Sequence, residues 1–163
     1  MGQITSVSKN CVDLIKYYEA GNDVSKYLKA YLCPAGVWTI GIGTTIYPTG
    51  KRVAQGDVIT VAQANAYLMN DLRNLIAAVD SYTTNDINQQ QFDALVSFAY
   101  NLGSSALKGS TLLKKVNLNL KDPSIQTEFE KWVHADGKVL PGLVKRRKSE
   151  AYLYFNGSLK FDF

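Results

Sequence analysis

Four glutamates stand in the 163-residue chain: Glu19, Glu128, Glu130 and Glu150. The last three lie on helical segments beside lysine or arginine, where a salt bridge is the ordinary reading. Glu19 differs. It closes an apolar helical segment next to Ala20-Gly21 and has no basic residue four positions away on either side. A helix C-terminus is a poor place for a carboxylate, because the macrodipole is negative there. That dipole and desolvation both favour the protonated acid, the form a general acid needs near neutral pH. The competing reading is an exposed helix-end glutamate with no chemical role. Other chemistries are thinly supplied. The single histidine, His134, excludes any site that needs two. Cys11 and Cys33 do not make a disulfide framework.

A glycine-rich stretch, with glycines at 36, 41, 43, 50 and 56, invites a nucleotide-binding reading. Gly41-Ile42-Gly43 lacks the third glycine of a dinucleotide fingerprint, and no helix follows to receive a phosphate. Gly50-Lys51 lacks the spacing of a phosphate-binding loop and is followed by Arg52. These glycines read better as tight turns and close backbone approaches in a small sheet.

The elements that must hold such residues follow from periodicity. Val7, Cys11, Leu14, Ile15 and Tyr18 recur at helical spacing, so a helix spans Val7 to Glu19, capped by Ser8 or Ser6 and broken by Gly21-Asn22-Asp23. Val37 to Ile42 reads as a strand and Pro48-Thr49-Gly50 as a turn. Everything after Thr60 reads as helical. Thr60 and Gln63 form a capping box before a long helix to about Ser81, and Asp86 to Gln89 forms a second box before a helix ended by Gly103. Ser110 caps a short helix to Val116, and Asp122-Pro123 opens another. A last helix runs from Pro141 to Asn156, with Gly157 as its stop. The predicted architecture is α+β in a single domain spanning 1–163. A sheet-bearing lobe over about 15–60 is joined by a connecting helix, 61–81, to a helical lobe of 1–14 plus 82–163.

Lysine and arginine number 18 against 14 aspartates and glutamates, a net charge of +4. Such an excess favours a polyanionic partner without choosing one. The densest cluster, Lys145-Arg146-Arg147-Lys148, reads as a solvated helix face rather than a nucleic-acid clamp. No secretory signal and no membrane-spanning run is visible. Met1-Gly2-Gln3-Ile4-Thr5-Ser6 fits a myristoylation pattern that has meaning only in a eukaryotic cell.

Beyond these local readings, several separated strings occur in a telling order. Glu19 is followed by Leu28-Lys29-Ala30-Tyr31-Leu32-Cys33-Pro34-Ala35-Gly36-Val37-Trp38-Thr39-Ile40-Gly41-Ile42-Gly43. Then come Gln91-Phe92-Asp93-Ala94-Leu95-Val96-Ser97-Phe98-Ala99-Tyr100-Asn101-Leu102-Gly103, then Ser110-Thr111-Leu112-Leu113, Trp132 and Pro141-Gly142-Leu143-Val144-Lys145-Arg146-Arg147. Together they resemble the phage-type lysozymes, or endolysins, over about Ser8 to Phe155. The resemblance implies a lysozyme-like fold and a muramidase that cleaves the β-1,4 bond between N-acetylmuramic acid and N-acetylglucosamine in peptidoglycan. It places the family's catalytic triad on Glu19, Cys33 and Thr39, with Glu19 as acid and the other two binding the attacking water. It also puts Tyr100, Asn101, Trp132 and Arg146 at positions that face the glycan. The resemblance implies no cofactor and no metal, glycan strands as partner rather than nucleic acid or membrane, and a monomer. It implies cytoplasmic accumulation before a holin-made lesion gives access to the wall.

Two departures from the family pattern stand out. Thirteen residues separate Glu19 from Cys33 where the family usually has eight, and the excess falls in Gly21 to Tyr27. Thr44 stands where the family has a histidine, at a predicted cost to stability rather than chemistry. Cys33 read alone is a small buried hydrophobe and Thr39 an ordinary strand residue. A lytic transglycosylase using Glu19 alone, or a non-catalytic wall-binding virion module, are the rival functions.

Overall fold

The computed structural model describes residues 4–21, 23–84 and 86–163. The chain divides into two compact units, Ile15–Asn74 and Met1–Leu14 with Leu75–Phe163. The fold is mostly helical with two short hairpins, an α+β arrangement.

In the first unit, helix α1 (Lys9–Ala20) ends where Gly21 turns left-handed at φ +60°, its N–H closing on the Tyr17 carbonyl at 2.9 Å. Asn22, part of the expected stop signal, lies outside the described residues. The excess residues before Tyr27 do not hang as an open bulge. Val24–Tyr27 form a 3-10 helix, and Val24 packs against the core of Ala30, Ile40, Val53, Ile59 and Ala64. The Tyr27 carbonyl accepts the Gly41 N–H at 2.7 Å, and the Leu28 carbonyl accepts the Ile59 N–H at 2.8 Å. The insertion is thus stitched into the sheet it precedes.

Strands β1 (Tyr31–Leu32) and β2 (Trp38–Thr39) pair antiparallel, Tyr31 opposite Thr39 and Leu32 opposite Trp38. The run expected as one strand to Ile42 stops early. Gly41 and Gly43 both take positive φ, and Ile40 folds back to pair with Thr44. Isolated bridges Lys29 to Val58 and Ile46 to Arg52 complete the small sheet. Helix α2 (Val61–Tyr82) opens with the expected box: Gln63 N–H donates to Thr60 Oγ1 at 3.1 Å, and Thr60 N–H to Gln63 Oε1 at 2.9 Å.

The second unit holds α3 (Gln89–Leu102), α4 (Ser104–Lys108), α5 (Thr111–Leu118), α6 (Ser124–Glu130) and α7 (Pro141–Asn156). Its α3 box is Asn88 with Gln91, not Asp86 with Gln89. Asn88 stands one residue before the helix, where its side chain reaches the free N–H of Gln91. Ser8, expected as a cap for α1, turns its hydroxyl to Asp93 instead. Helix α4 was not anticipated. Neither was the hairpin of β3 (His134–Ala135) and β4 (Lys138–Val139), which corrects the expectation that only helices follow Thr60. Asp136 (φ 52°) and Gly137 (φ 76°) form its turn, the pair of positive φ angles a two-residue hairpin requires. Gly157 stops α7 at φ 72°, as expected. Of the amino-terminal myristoylation pattern, residues 1–3 lie outside the described residues. No described helix is long and apolar enough to cross a membrane.

Candidate active site

Glu19, Cys33 and Thr39 all belong to the unit Ile15–Asn74. Glu19 is carried on the last turn of α1, half-buried, where Leu14, Ile15 and Ala20 anchor the helix by burial. Cys33 follows β1 and opens the tight loop to β2. That loop closes on itself: Cys33 N–H donates to the Val37 carbonyl at 3.0 Å and Gly36 N–H to the Cys33 carbonyl at 2.8 Å. Gly36 supplies the positive φ of 78° that the turn needs.

This loop has an electrostatic consequence. The backbone amide of Val37 hydrogen-bonds the sulfur and lowers the Cys33 thiol from its ordinary range. The amides of Ala35 and of Cys33 itself, and the Thr39 hydroxyl, act in the same direction against a partial desolvation. Thr39 is buried on β2, its hydroxyl donating to the Val37 carbonyl at 3.0 Å. The backbone turn and β2 together bring Cys33 and Thr39 to one place.

Tyr31 lies beside them. It is opposite Thr39 across the strand pair and two residues before Cys33, so the three share a face. Its ring meets that of Tyr27 at 5.2 Å. Its phenol is pushed up to about 12, by burial first and then by the charges of Glu19, Tyr27 and Cys33. Glu19 and Cys33 are therefore both near enough to Tyr31 to act on it electrostatically. Sequence reading gave Tyr31 only a place in a motif. Its spacing from Cys33, two residues apart in the chain, was the available signal that the two lie close together.

The other four expected site residues lie in the unit that contains Leu75–Phe163. Tyr100 and Asn101 are half-buried on the last turn of α3, and Asn101 Oδ1 accepts from Arg147 Nη2 at 2.6 Å. Trp132 packs edge-on to Phe98 with ring centres 5.5 Å apart. Arg146 has a side chain only 4% exposed. It donates to the Ser97 carbonyl at 3.2 Å and to Glu150 Oε2 at 3.3 Å. Arg147 is fully buried, ion-paired to Glu150 at 3.2 Å and stacked over Phe98 at 5.1 Å. The expected solvated face of Lys145 to Lys148 is thus corrected: its two central arginines are interior cations. Helical phase turns them inward, and Glu150 receives them there. Glu128 is likewise held by Lys115 at 2.8 Å and Lys131 at 3.0 Å, the salt bridge its sequence context suggested.

The phage lysozyme family model matches residues 25–150. An endolysin of Acyrthosiphon pisum secondary endosymbiont phage 1 is 41% identical over 153 residues, which cover 91% of this chain and 97% of that protein. The chain belongs to the phage lysozyme family. An endolysin of Bacillus phage B103 is 39% identical over 95% of this chain, which spans only 56% of that protein's length. Among solved structures, the endolysin from Escherichia coli O157:H7 phage FAHEc1 superposes with a TM-score of 0.87 at 33% identity, over 98% of this chain and 99% of that one. As a family member this lysozyme is a muramidase-type glycoside hydrolase of peptidoglycan. Cys33 and Thr39 lie inside the span matched by the family model. Glu19 precedes it.

Proposed function

We propose that this lysozyme hydrolyses the β-1,4 bond between N-acetylmuramic acid and N-acetylglucosamine. Glu19 gives its proton to the leaving oxygen, while Cys33 and Thr39 hold the attacking water. Glycoside hydrolysis needs one proton donor and one acceptor flanking the bond. The observation that carries the reading is Cys33 in the tight loop before β2, beside buried Thr39, with its thiol lowered. A thiol is a poor base, and the lowering of the Cys33 thiol acts in the direction an acceptor in place of an aspartate needs. That same feature favours hydrolysis over a transglycosylase acting through Glu19 alone, which needs no water-holding partner. Half-buried Tyr100, Asn101 and Trp132 remain the proposed glycan contacts, whereas Arg146 is assigned to the interior. The protein is proposed to act as a monomer on wall exposed by a membrane lesion.

The test is lysis of purified peptidoglycan with product masses. Glu19→Gln should fold normally and lose nearly all activity, because an amide has no proton to give. Activity within about tenfold of wild type, a barrier change of only ~1.4 kcal/mol, would overturn the acid role. Hydrolysed ends carry one water more than anhydro ends, so the masses separate hydrolase from transglycosylase.

A further inference from the structure

A cavity of about 430 Å³ on the unit Ile15–Asn74 shares no lining residue with the site above. Its size falls in the range of small-ligand sites. Two of its lining residues, Tyr47 and Tyr67, meet edge to face with ring centres 5.4 Å apart. Both rings are half-buried and seated on the core of Ala30, Ile40, Val53, Ile59 and Ala64. The Tyr47 hydroxyl donates to Asp57 Oδ2 at 2.8 Å, and the same oxygen accepts the Ala54 N–H at 3.0 Å. The Ala54 and Tyr47 bonds, with Lys51 acting in the same direction, hold the Asp57 carboxyl below its ordinary range. Asp57 Oδ1 makes no hydrogen bond among the described residues and is left to accept. Gln63 spends its oxygen on the Thr60 N–H at 2.9 Å, which leaves its NH2 group to donate.

The cavity thus combines a fixed aromatic wall, one amide donor and one carboxylate acceptor. Lys51 and Asp57 give its lining one cation and one anion. An anionic ligand would meet Asp57, and a wholly apolar one would strip water from Asp57 and Gln63 without replacing it. A neutral sugar with an acetamido group matches each feature, and the wall polymer this lysozyme degrades supplies such sugars in series. We propose that this cavity is a second glycan-binding site, taking one N-acetylhexosamine of a wall strand. The sugar's C–H face packs on the electron-rich tyrosine rings. Its acetamido carbonyl accepts from Gln63, and its N–H or a hydroxyl donates to Asp57. The site holds polymer and breaks no bond, so it stands apart from the roles of Glu19 and Cys33.

The test titrates the protein with the β-1,4-linked tetramer of N-acetylglucosamine and follows its amide NMR signals. Those of Asp57, Val58 and the Gln63 side chain should shift and saturate in the wild type. Gln63→Glu keeps the capping box with Thr60, since glutamate serves there as well as glutamine, but removes the NH2 donor. It should melt with or above the wild type, while the dissociation constant read at Asp57 and Val58 rises about fivefold, the scale of one lost hydrogen bond. Its substrate requirement on insoluble peptidoglycan should rise, and its rate on short soluble fragments should not change. Wild-type shifts absent from Asp57, Val58 and Gln63 at millimolar sugar would overturn the proposal. So would an unchanged sugar affinity in Gln63→Glu, or equal shifts with inorganic phosphate, which would make the cavity an anion site.

Discussion

Cys33 shows how a backbone can do the work of a neighbouring cation. The surroundings that lower its thiol would also favour a carboxylate, so Cys33→Asp should fold and keep substantial lytic activity. Cys33→Ala should fold, still bind wall and be strongly impaired. An active, stable Cys33→Ala protein would return the residue to a packing role. The two thiols should also differ sharply toward an alkylating reagent near neutral pH. Cys11 is fully buried, its sulfur 3.5 Å from the Asp93 carbonyl, and burial together with Asp93 and Glu150 raises it well above the ordinary range. One equivalent of label should therefore enter at Cys33, and lysis should fall in step with it. Equal labelling of both cysteines in the folded protein would contradict the lowering of the Cys33 thiol. Asp71 makes a separate, structural point. Burial raises its carboxyl, opposed in part by the Thr44 hydroxyl at 3.1 Å. A carboxyl raised in the folded state binds its proton more tightly there, so its charged form costs stability at neutral pH. Asp71→Asn should raise the melting temperature at pH 7, and the difference should close as pH falls through the raised folded value toward the ordinary value near about 3.9. A difference that stays constant with pH would show that Asp71 is not the cause.

At the scale of elements, Gly41 joins the insertion to the sheet. Its φ of 63° is left-handed, and a side chain there would meet Ala64 Cβ at 3.1 Å and Ile59 Cδ1 at 3.2 Å. Its N–H also reaches the Tyr27 carbonyl at 2.7 Å. Gly41→Ala should thus combine the left-handed penalty of about 1–2 kcal/mol with an overpacking cost of similar size. Circular-dichroism melts should show a loss of several degrees, with lysis declining because the same turn fixes Thr39 two residues earlier. An unchanged melt would mean that the chain repacks around Gly41 without strain. The insertion itself explains why thirteen residues can stand between Glu19 and Cys33. A 3-10 turn takes up the extra length, and Val24 joins the core, so the added chain is paid for by burial.

Over the whole molecule, the net charge of +4 and its placement have different consequences. Arg146 and Arg147 face inward to Glu150, so they add little to attraction for an anionic wall. Arg147→Ala should lower stability by about 3–5 kcal/mol, because Glu150 would lose one of its buried partners. It should also free Asn101, which accepts from Arg147 at 2.6 Å, so the substrate requirement of the remaining folded protein should rise. Binding to purified peptidoglycan should weaken steadily with added salt, since screening shortens to about 3 Å at 1 M. Flat binding across a sodium chloride series would make the basic excess a matter of solubility alone.

Local chemistry made much of this protein readable from its sequence. The Thr60–Gln63 box, the Ser110 cap and the Gly157 stop depend on residues within a few positions of one another, and each stands where its spacing placed it. The family pattern that names Glu19, Cys33 and Thr39 is also written along the chain. The β3–β4 hairpin was legible too, in Asp136-Gly137, but the helical periodicity around it masked the signal. What tertiary structure alone decided concerns partners distant in sequence. Periodicity marks a face and not what that face meets, so the burial of Arg146 and Arg147 against Glu150 and Phe98 could not be read from a basic run. The lowering of the Cys33 thiol depends on the turn that holds it. The place of Tyr31 opposite Thr39 depends on strand register. Residue type supplied a carboxyl group, a thiol and a hydroxyl at Glu19, Cys33 and Thr39. Folding set the fields and distances that give them different work.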